Sequence, residues 1–464
     1  MGYIVAIGVV TVLATSTFVV SLSTVSGASG AVPAVSAGTS VGHRLAPLSP
    51  PNTTIPVIGT PVVNWSGNVT GTLNATNGRP WGETYDPVDG CMYVTESPST
   101  PSTQGYITWL GPVTGYLPTS QQIPTAGGPA FNPQGIAWAL RYLGEPAAWI
   151  NSFRAGILMI ADTGSNTVSF YGITGMSTAG TVSCQPQFLQ TDVGINWLSG
   201  ANLLGPWDVV FDARSHLFYV TWSNSNAVQA WGVSLPGCEF FRYLSVPVGL
   251  STDAAGRLEI ANFQANGWVT QYVVSPLNIF PGVCAGNANA IFSSSPGQLD
   301  RSVWTVYAPL LLGNNTSTRG AKAVVAVSDA NWNVAGNLVG AGCVLGSPAT
   351  HVMGELKDGS LACLNSVKLD GAAPLNPGAY GIAYNPLTRH VLEVLSATGQ
   401  VEAVNYNAHL APATAAVGCP TSGPSPLCSV EVIWFGAPAG SWYPGNTMAV
   451  TNWGVGTLYI AVGA

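Results

Sequence analysis

Charge is scarce in this chain. Only 7% of its 464 residues are Asp, Glu, Lys or Arg, against roughly 25% in an average soluble domain, and just three are Lys. The 13 basic residues form no cluster and the formal net charge is −7, which excludes a nucleic-acid partner that needs a basic stripe against phosphate. The eight cysteines contain no CxxC, and neither they nor the five isolated histidines show metal-ligand spacing, so zinc chemistry is not indicated. After residue 22 no uncharged apolar run is long enough to cross a bilayer. What is present argues for a folded protein. Apolar residues make up 47% of the chain, with 15 Trp and 16 Tyr, and 464 residues suit one large repeat architecture or two to four ordinary domains.

A surface made polar by hydroxyls, amides and backbone changes little when acid protonates it. With every carboxyl neutral, the 13 Lys and Arg and five His give at most +18, a modest self-repulsion for so long a chain. The composition therefore suits an acidic medium; a GC-rich genome that disfavours Lys would produce the same bias.

Residues 3–22, YIVAIGVVTVLATSTFVVSL, carry no charge and span a hydrocarbon core at 1.5 Å per residue. The first basic side chains, His43 and Arg44, follow this run, so the basic start of a secretory signal is missing. Three readings stand: a cleaved signal ending near Ser26 to Ala31, a membrane anchor, or an assembly helix. In composition the segment resembles the N-terminal helix of archaeal type IV pilins and archaellins, which implies self-assembly or cell-envelope partners through that helix. Residues 1–26 are thus expected to form one apolar helix and 27–60 an Ala/Gly/Ser/Pro-rich linker.

All three readings export the remainder, and disulfides are then the economical use of the cysteines. Cys419 and Cys428 bracket a Pro- and Gly-rich loop, and Cys343 and Cys363 flank a hairpin candidate, so these two pairs are expected; Cys91, Cys184, Cys238 and Cys284 are left unassigned. Six glycosylation sequons stand at Asn52, Asn64, Asn68, Asn74, Asn314 and Asn315, four of them clustered beside the linker, where glycans would stiffen a stalk.

Internal repetition sets the fold. TYDPVDGCMYVT, VFDARSHLFYVT, STDAAGRLEIAN and AYNPLTRHVLEV each run strand, Asp or Asn, turn, strand, with seven residues from Asp86 to Tyr93, Asp212 to Tyr219, Asp253 to Ile260 and Asn385 to Leu392. A third strand follows nine residues on, at Val228, Val269 and Val401, and ILMIADTGSNTVSFY is a fifth copy. These are antiparallel meanders whose Asp and Asn cap tight turns. One meander cannot bury both its faces, so copies must stack radially. ADTGSNTV resembles the NHL signature and LFYVTWSNSNAVQAW the YVTN pattern, two β-propeller repeat families. The expected fold is all-β: a propeller over residues 61–464 of about seven blades, six and eight being the alternatives.

Blades should begin near Gly82, Gly135, Asp208, Gly249 and Gly381, with Pro80, Pro133, Pro206 and Pro247 two residues ahead of the first four. One or two further blades are expected around residues 301–312 with AKAVVAV and around 355–367, where Asp358-Gly359 signals a hairpin. VIWFG, TMAVTN and TLYIAVG form a last sheet whose missing partner is VVNWSGNVTGTL, so that the two ends of the chain close one ring. The insertion 139–156 should lie on one rim.

Candidate sites are few. Gly38-Thr39-Ser40-Val41-Gly42 matches a nucleophile elbow only as a string, since no strand and helix flank it. His216 and His390 share a turn-to-strand slot and read as structural. Propeller enzymes converge polar groups at the axial channel, and the likeness to gluconolactonase-type propellers implies a divalent-cation set there, for which Glu83, Asp208 and Asn446 qualify; Ca²⁺ suits such hard oxygens and no other cofactor is expected. Trp81 and Trp207 follow equivalent prolines, and with Trp138 they would form a ring of indoles able to stack on sugars, or else pack blade against blade. The leading function is a non-enzymatic extracellular surface or filament protein. The alternatives are a secreted lyase- or lactonase-like propeller enzyme and a glycan-binding propeller.

Overall fold

The computed structural model describes residues 78–98, 105–110, 120–124, 132–176, 182–233, 235–252, 256–264 and 267–273, and strands between 282 and 461. The segment 1–26, the linker, Asn446, all six sequon asparagines, strand 62–73, Asp253, Asp358-Gly359, Cys284, Cys419 and Cys428 lie outside the described residues. The described chain is almost wholly antiparallel sheet. The first sheet is β1 (Gly78–Asp86), β2 (Cys91–Pro98), β3 (Tyr106–Leu110) and β4 (Ser120–Pro124), in that spatial order. The second is β5 (Pro133–Ala139), then, after the short helix α1 (Ala147–Ser152), β6 (Gly156–Asp162), β7 (Thr167–Met176) and β8 (Val182–Val193). The third is β9 (Pro206–Asp212), β10 (Leu217–Trp222), β11 (Ala227–Val233) and β12 (Leu235–Phe240). The fourth begins with β13 (Pro247–Thr252), β14 (Arg257–Asn262) and β15 (Trp268–Val273). The chain then returns through β16 (Gly282–Val283), parallel to β12, before β17 (Ile291–Phe292) completes the fourth sheet.

The fifth sheet takes β18 (Ser302–Pro309), β19 (Ala323–Asp329), β22 (Ala349–Glu355) and β23 (Leu361–Lys368), with a hairpin of β20 (Leu338–Val339) and β21 (Cys343–Val344) between its second and third strands. The sixth is β24 (Ala379–Asn385), β25 (His390–Leu395), β26 (Gln400–Val404) and β27 (Val430–Phe435), and β28 (Thr447–Val450) pairs with β29 (Leu458–Ala461). One expectation is corrected here. The strand of VIWFG is β27, the outer strand of the sixth sheet, because it pairs with β26 and not with the terminal hairpin. Of the one or two blades expected between the fourth and sixth sheets there is one: the segments around 301–312 and 355–367 join a single sheet, since β19 and β22 pair along their whole length.

First strands touch in succession, β1 on β5, β5 on β9, β9 on β13, β13 on β18, β18 on β24 and β24 on β28, and β28 meets β1, a propeller-like circuit. The core lies between successive sheets. Leu158 and Ile160 of β6 pack with Tyr93, Ile107 and Trp109 of the first sheet, while Met159 and Ala161 pack with Phe218, Val220 and Trp222 of the third. Leu217 and Tyr219 turn the other way, onto Leu250, Leu258 and Ile260 of the fourth. Second strands are thus buried on both faces, which explains why ILMIA and LFYVTW read as continuous apolar runs and not as alternation.

The capping turns form as the sequence suggests. Asp86 Oδ1 accepts the Val88 amide at 2.8 Å, and Asp212 accepts the amides of Arg214 and Ser215, each at 3.1 Å. The left-handed residue that closes the turn is Gly90 (φ 74°) in the first sheet and His216 (φ 56°) in the third. His390 instead starts β25 opposite Asn385, one register place further on, so the two histidines do not share a slot. Residues 140–155, with α1, cover the turn of the third sheet: the Leu143 amide donates to the His216 carbonyl at 2.7 Å, and Tyr142 packs on Phe170 and Phe218. Among the cysteines, Cys91 of β2 is bonded to Cys184 of β8, tying the first sheet to the second across 93 residues. Cys238 is also disulfide-bonded.

Candidate functional site

Every well-described first strand breaks register just after it begins. The irregularity falls between Pro80 and Glu83 in β1, Pro133 and Ile136 in β5, Pro247 and Leu250 in β13, and Ala379 and Ile382 in β24; in β9 Pro206 faces Trp222 while Val209 faces Val220. A proline has no N–H for the ladder, so it opens the strand, and the bulge lets the next two residues turn away from their own sheet. Those residues are Trp81-Gly82, Gln134-Gly135, Trp207-Asp208 and Val248-Gly249; β24 opens on Ala379 in place of a proline. The glycines are needed for closeness: a Cβ on Gly82 would lie 2.5 Å from the Gln134 carbonyl oxygen, and one on Gly135 2.5 Å from the Asp208 Cα.

The bulges bring two predicted residues together. Trp81 and Trp207 come from β1 and β9, with β5 between them, yet their rings meet edge to face with centroids 5.4 Å apart. Both are half-buried. Trp138 does not join them. It lies five residues after Pro133 at the far end of β5, where its indole N–H donates to the Ala155 carbonyl at 2.9 Å.

Glu83 and Asp208 occupy different register places. Asp208 stands where other bulges carry glycine, while Glu83 aligns with Ile136, Val209 and Leu250. The Asp208 carboxylate accepts the Val209 amide at 2.8 Å and, through its other oxygen, the Leu250 amide of the fourth sheet at 2.9 Å. It thus fastens the third sheet to the fourth. No group of three or more His, Cys, Asp or Glu positioned to hold a metal occurs among the described residues.

Two further devices join the sheets, and neither was read from the repeats. The Thr of each YVT run lies inside a first strand's bulge. Thr95 takes the Gly82 amide at 2.8 Å and donates to the Gln134 carbonyl of the second sheet; Thr221 takes the Asp208 amide at 2.9 Å and donates to the Val248 carbonyl of the fourth at 2.8 Å. The second device uses left-handed asparagines. Asn166 (φ 57°) accepts the Gly205 amide at 2.7 Å and Asn226 (φ 51°) the Val246 amide at 2.7 Å, each amide lying just before the next sheet's opening proline. The repeated SN before a third strand carried that signal.

Several carboxyls are buried. Arg141 pairs with Glu145 at 3.9 Å. Glu259 accepts from Gln271 at 2.9 Å, Glu239 takes the Trp197 amide at 2.9 Å, and Thr108 donates to Glu96. Burial pushes Asp86 up to about 7, Asp89 adding to the rise and the Val88 and Asp89 amides opposing it. Burial likewise raises Asp162, Asp192 and Glu239, and it raises Glu145 against the pull of Arg141.

No family model matches the chain, and no curated protein does. Solved structures are similar to it in fold. Hydrazine synthase of Kuenenia stuttgartiensis is 15% identical over 73% of this chain and 80% of its own, with a TM-score of 0.44. The WD40 domain of Toxoplasma gondii coronin is 10% identical over 77% and 70%, at 0.45. Virginiamycin B lyase of Staphylococcus aureus is 9% identical over 84% and 94%, at 0.43. At such distances the likeness carries no chemistry over to this chain.

Proposed function

We propose that the chain is an exported propeller of seven blades, stapled by disulfides, that serves as a non-enzymatic scaffold at the cell surface or in a filament. The observation that carries this reading is the Cys91–Cys184 bond between the first and second sheets, with Cys238 oxidised as well. Such bonds persist in oxidising compartments and are rare in a reducing cytosol. In this reading β28 and β29 belong to the seventh blade, completed by residues 62–73, and residues 3–22 anchor or assemble the chain. Glycans on Asn52, Asn64, Asn68 and Asn74 protect the stalk. Glu83, Asp208 and Asn446 at the channel would hold Ca²⁺ only if Asp208 gave up backbone amides, so its two bonds favour the scaffold over the enzyme.

A second reading, glycan binding, is favoured by the convergence of Trp81 and Trp207, whose half-buried rings offer a stacking surface. Alkylation of intact cells without reductant, followed by peptide mass spectrometry, tests the main proposal. A Cys91–Cys184 cross-linked peptide from a fraction that external protease removes is expected; free thiols in a protected internal fraction would overturn it.

A further inference from the structure

We infer that the end of the propeller carrying the insertion 140–155 docks on an anionic lipid surface, with Leu140, Leu143 and Ile150 entering the headgroup region and Arg141 and Arg154 facing lipid phosphates. The inference rests on the reading of residues 3–22 as an anchor only for the nearness of a bilayer. The case begins with exposure. Leu140 is 42% exposed, Leu143 43% and Ile150 39%, and Val88 of the neighbouring β1–β2 turn is 51% exposed. Helix α1 buries none of its residues. Single exposed leucines are ordinary on a surface, but several held together mark a contact.

The backbone gathers them. Arg141 donates through Nη1 to the carbonyls of Leu140 at 2.7 Å and Phe153 at 3.0 Å, and through Nη2 to that of Ile150 at 3.3 Å. One guanidinium thus ties Leu140 to the end of α1, while the Leu143 amide is fixed to His216 of the third sheet. Trp149 leans on Phe170, ring centroids 6.0 Å apart, and pins α1 to the second sheet. On the other side, a Cβ on Gly175 would lie 2.5 Å from Asp89 Oδ2 and 2.7 Å from the Ala155 Cβ, so the turn with Val88 adjoins the insertion. The apolar side chains therefore stand on a fixed frame.

Charge selects the partner. Arg154 is exposed, Arg141 is half-buried, and Arg214 is exposed on the turn that the insertion covers. Of the carboxyls nearby, Glu145 is buried against Arg141, Asp212 is buried and Asp89 is half-buried. This face shows solvent more positive than negative charge, in a chain whose net charge is −7. A second copy docked on the same face about a twofold axis would set these arginines against one another, whereas anionic headgroups complement them. Long Arg side chains reach phosphate while their apolar neighbours enter the acyl boundary. Leu198 and Leu204 are more exposed still, but they lie on the loop before β9, at the other end of that strand from its turn at His216, and residues 194–204 include no charged side chain. A flat bilayer touches one end only.

Hydrogen–deuterium exchange of the full-length protein tests this, with vesicles of phosphatidylcholine alone or with about 30% phosphatidylglycerol. On the anionic vesicles, amides of residues 140–155 are expected to exchange roughly threefold more slowly at low salt, and the effect should fade in about 0.5 M NaCl. Residues 194–204 should not change. L143S and R154Q, both altered at exposed side chains, should each weaken the protection. Co-sedimentation read in parallel reports on residues 3–22: a chain that sediments with vesicles but shows no protection at 140–155 keeps the anchor and overturns the inference. Protection that neutral vesicles produce equally, that falls on 194–204 instead, that raised protein concentration produces without vesicles, or that survives both variants would also overturn it.

Discussion

Asp86 caps a turn through one oxygen and is fully buried, so its charge is costly at neutral pH. Its acid, raised to about 7 when folded, binds a proton that the unfolded chain, near the ordinary 3.8, has released. Between those values the native state holds more protons, so stability falls as pH rises from about 4 to 7 and is greatest below that window. Asp162, Asp192, Glu145 and Glu239 shift in the same direction. Melting temperature in Ca²⁺-free buffer is therefore expected to climb as pH falls from 7 to 4, and D86N should flatten part of that slope. Backbone fit gives a second expectation at this scale. Val246 holds φ at 47°, costly for a β-branched side chain, where the preceding sheet has Gly205 at 68°. V246G should raise stability by about 1 kcal/mol in urea titration. Capping by Asp86 and Asp212 was legible because Asx turns depend on neighbours in sequence. The partner of Cys91 was not, since eight cysteines allow 105 pairings and only the stacking of sheets selects one.

Strands and turns followed from local pattern, but the contacts between sheets did not. Prolines at fixed places signalled the openings of first strands; the bulge behind each was hidden, so the sequence grouped Glu83 and Asp208 at one channel without showing that they stand one register place apart. Trp138 was misjudged for the same reason, because nearness to a proline in sequence says nothing of which end of a strand a side chain occupies. The Thr of YVT shows what the bulge is for. T221V keeps shape but leaves the Asp208 amide and Val248 carbonyl without their shared hydroxyl, at a cost of about 1 to 3 kcal/mol. G135A should cost a similar amount or more, since its methyl would meet backbone atoms of β9 at 2.5 to 2.7 Å. Chemical denaturation reads both, and the loss should be larger than for the exposed control V88A.

Across the whole molecule, the first three junctions between sheets are apolar, and covalent bonds reinforce what packing begins. β12 and β16 run side by side with Cys238 opposite Gly282. Cys284 follows two residues later, so non-reducing peptide maps are expected to contain a Cys238–Cys284 link. The circuit of first strands, closing from β28 to β1, is the feature on which the scaffold reading depends, because no single sheet could bury both its faces without neighbours. The number of copies was countable only roughly in the sequence, where the later repeats lose their Asp and proline marks. High-resolution electron microscopy of the purified full-length chain tests this closure most directly. Seven radial sheets around one axis, with density joining Cys91 to Cys184, are the predicted result; an open arc of sheets, or separate lobes joined by tethers, would contradict it.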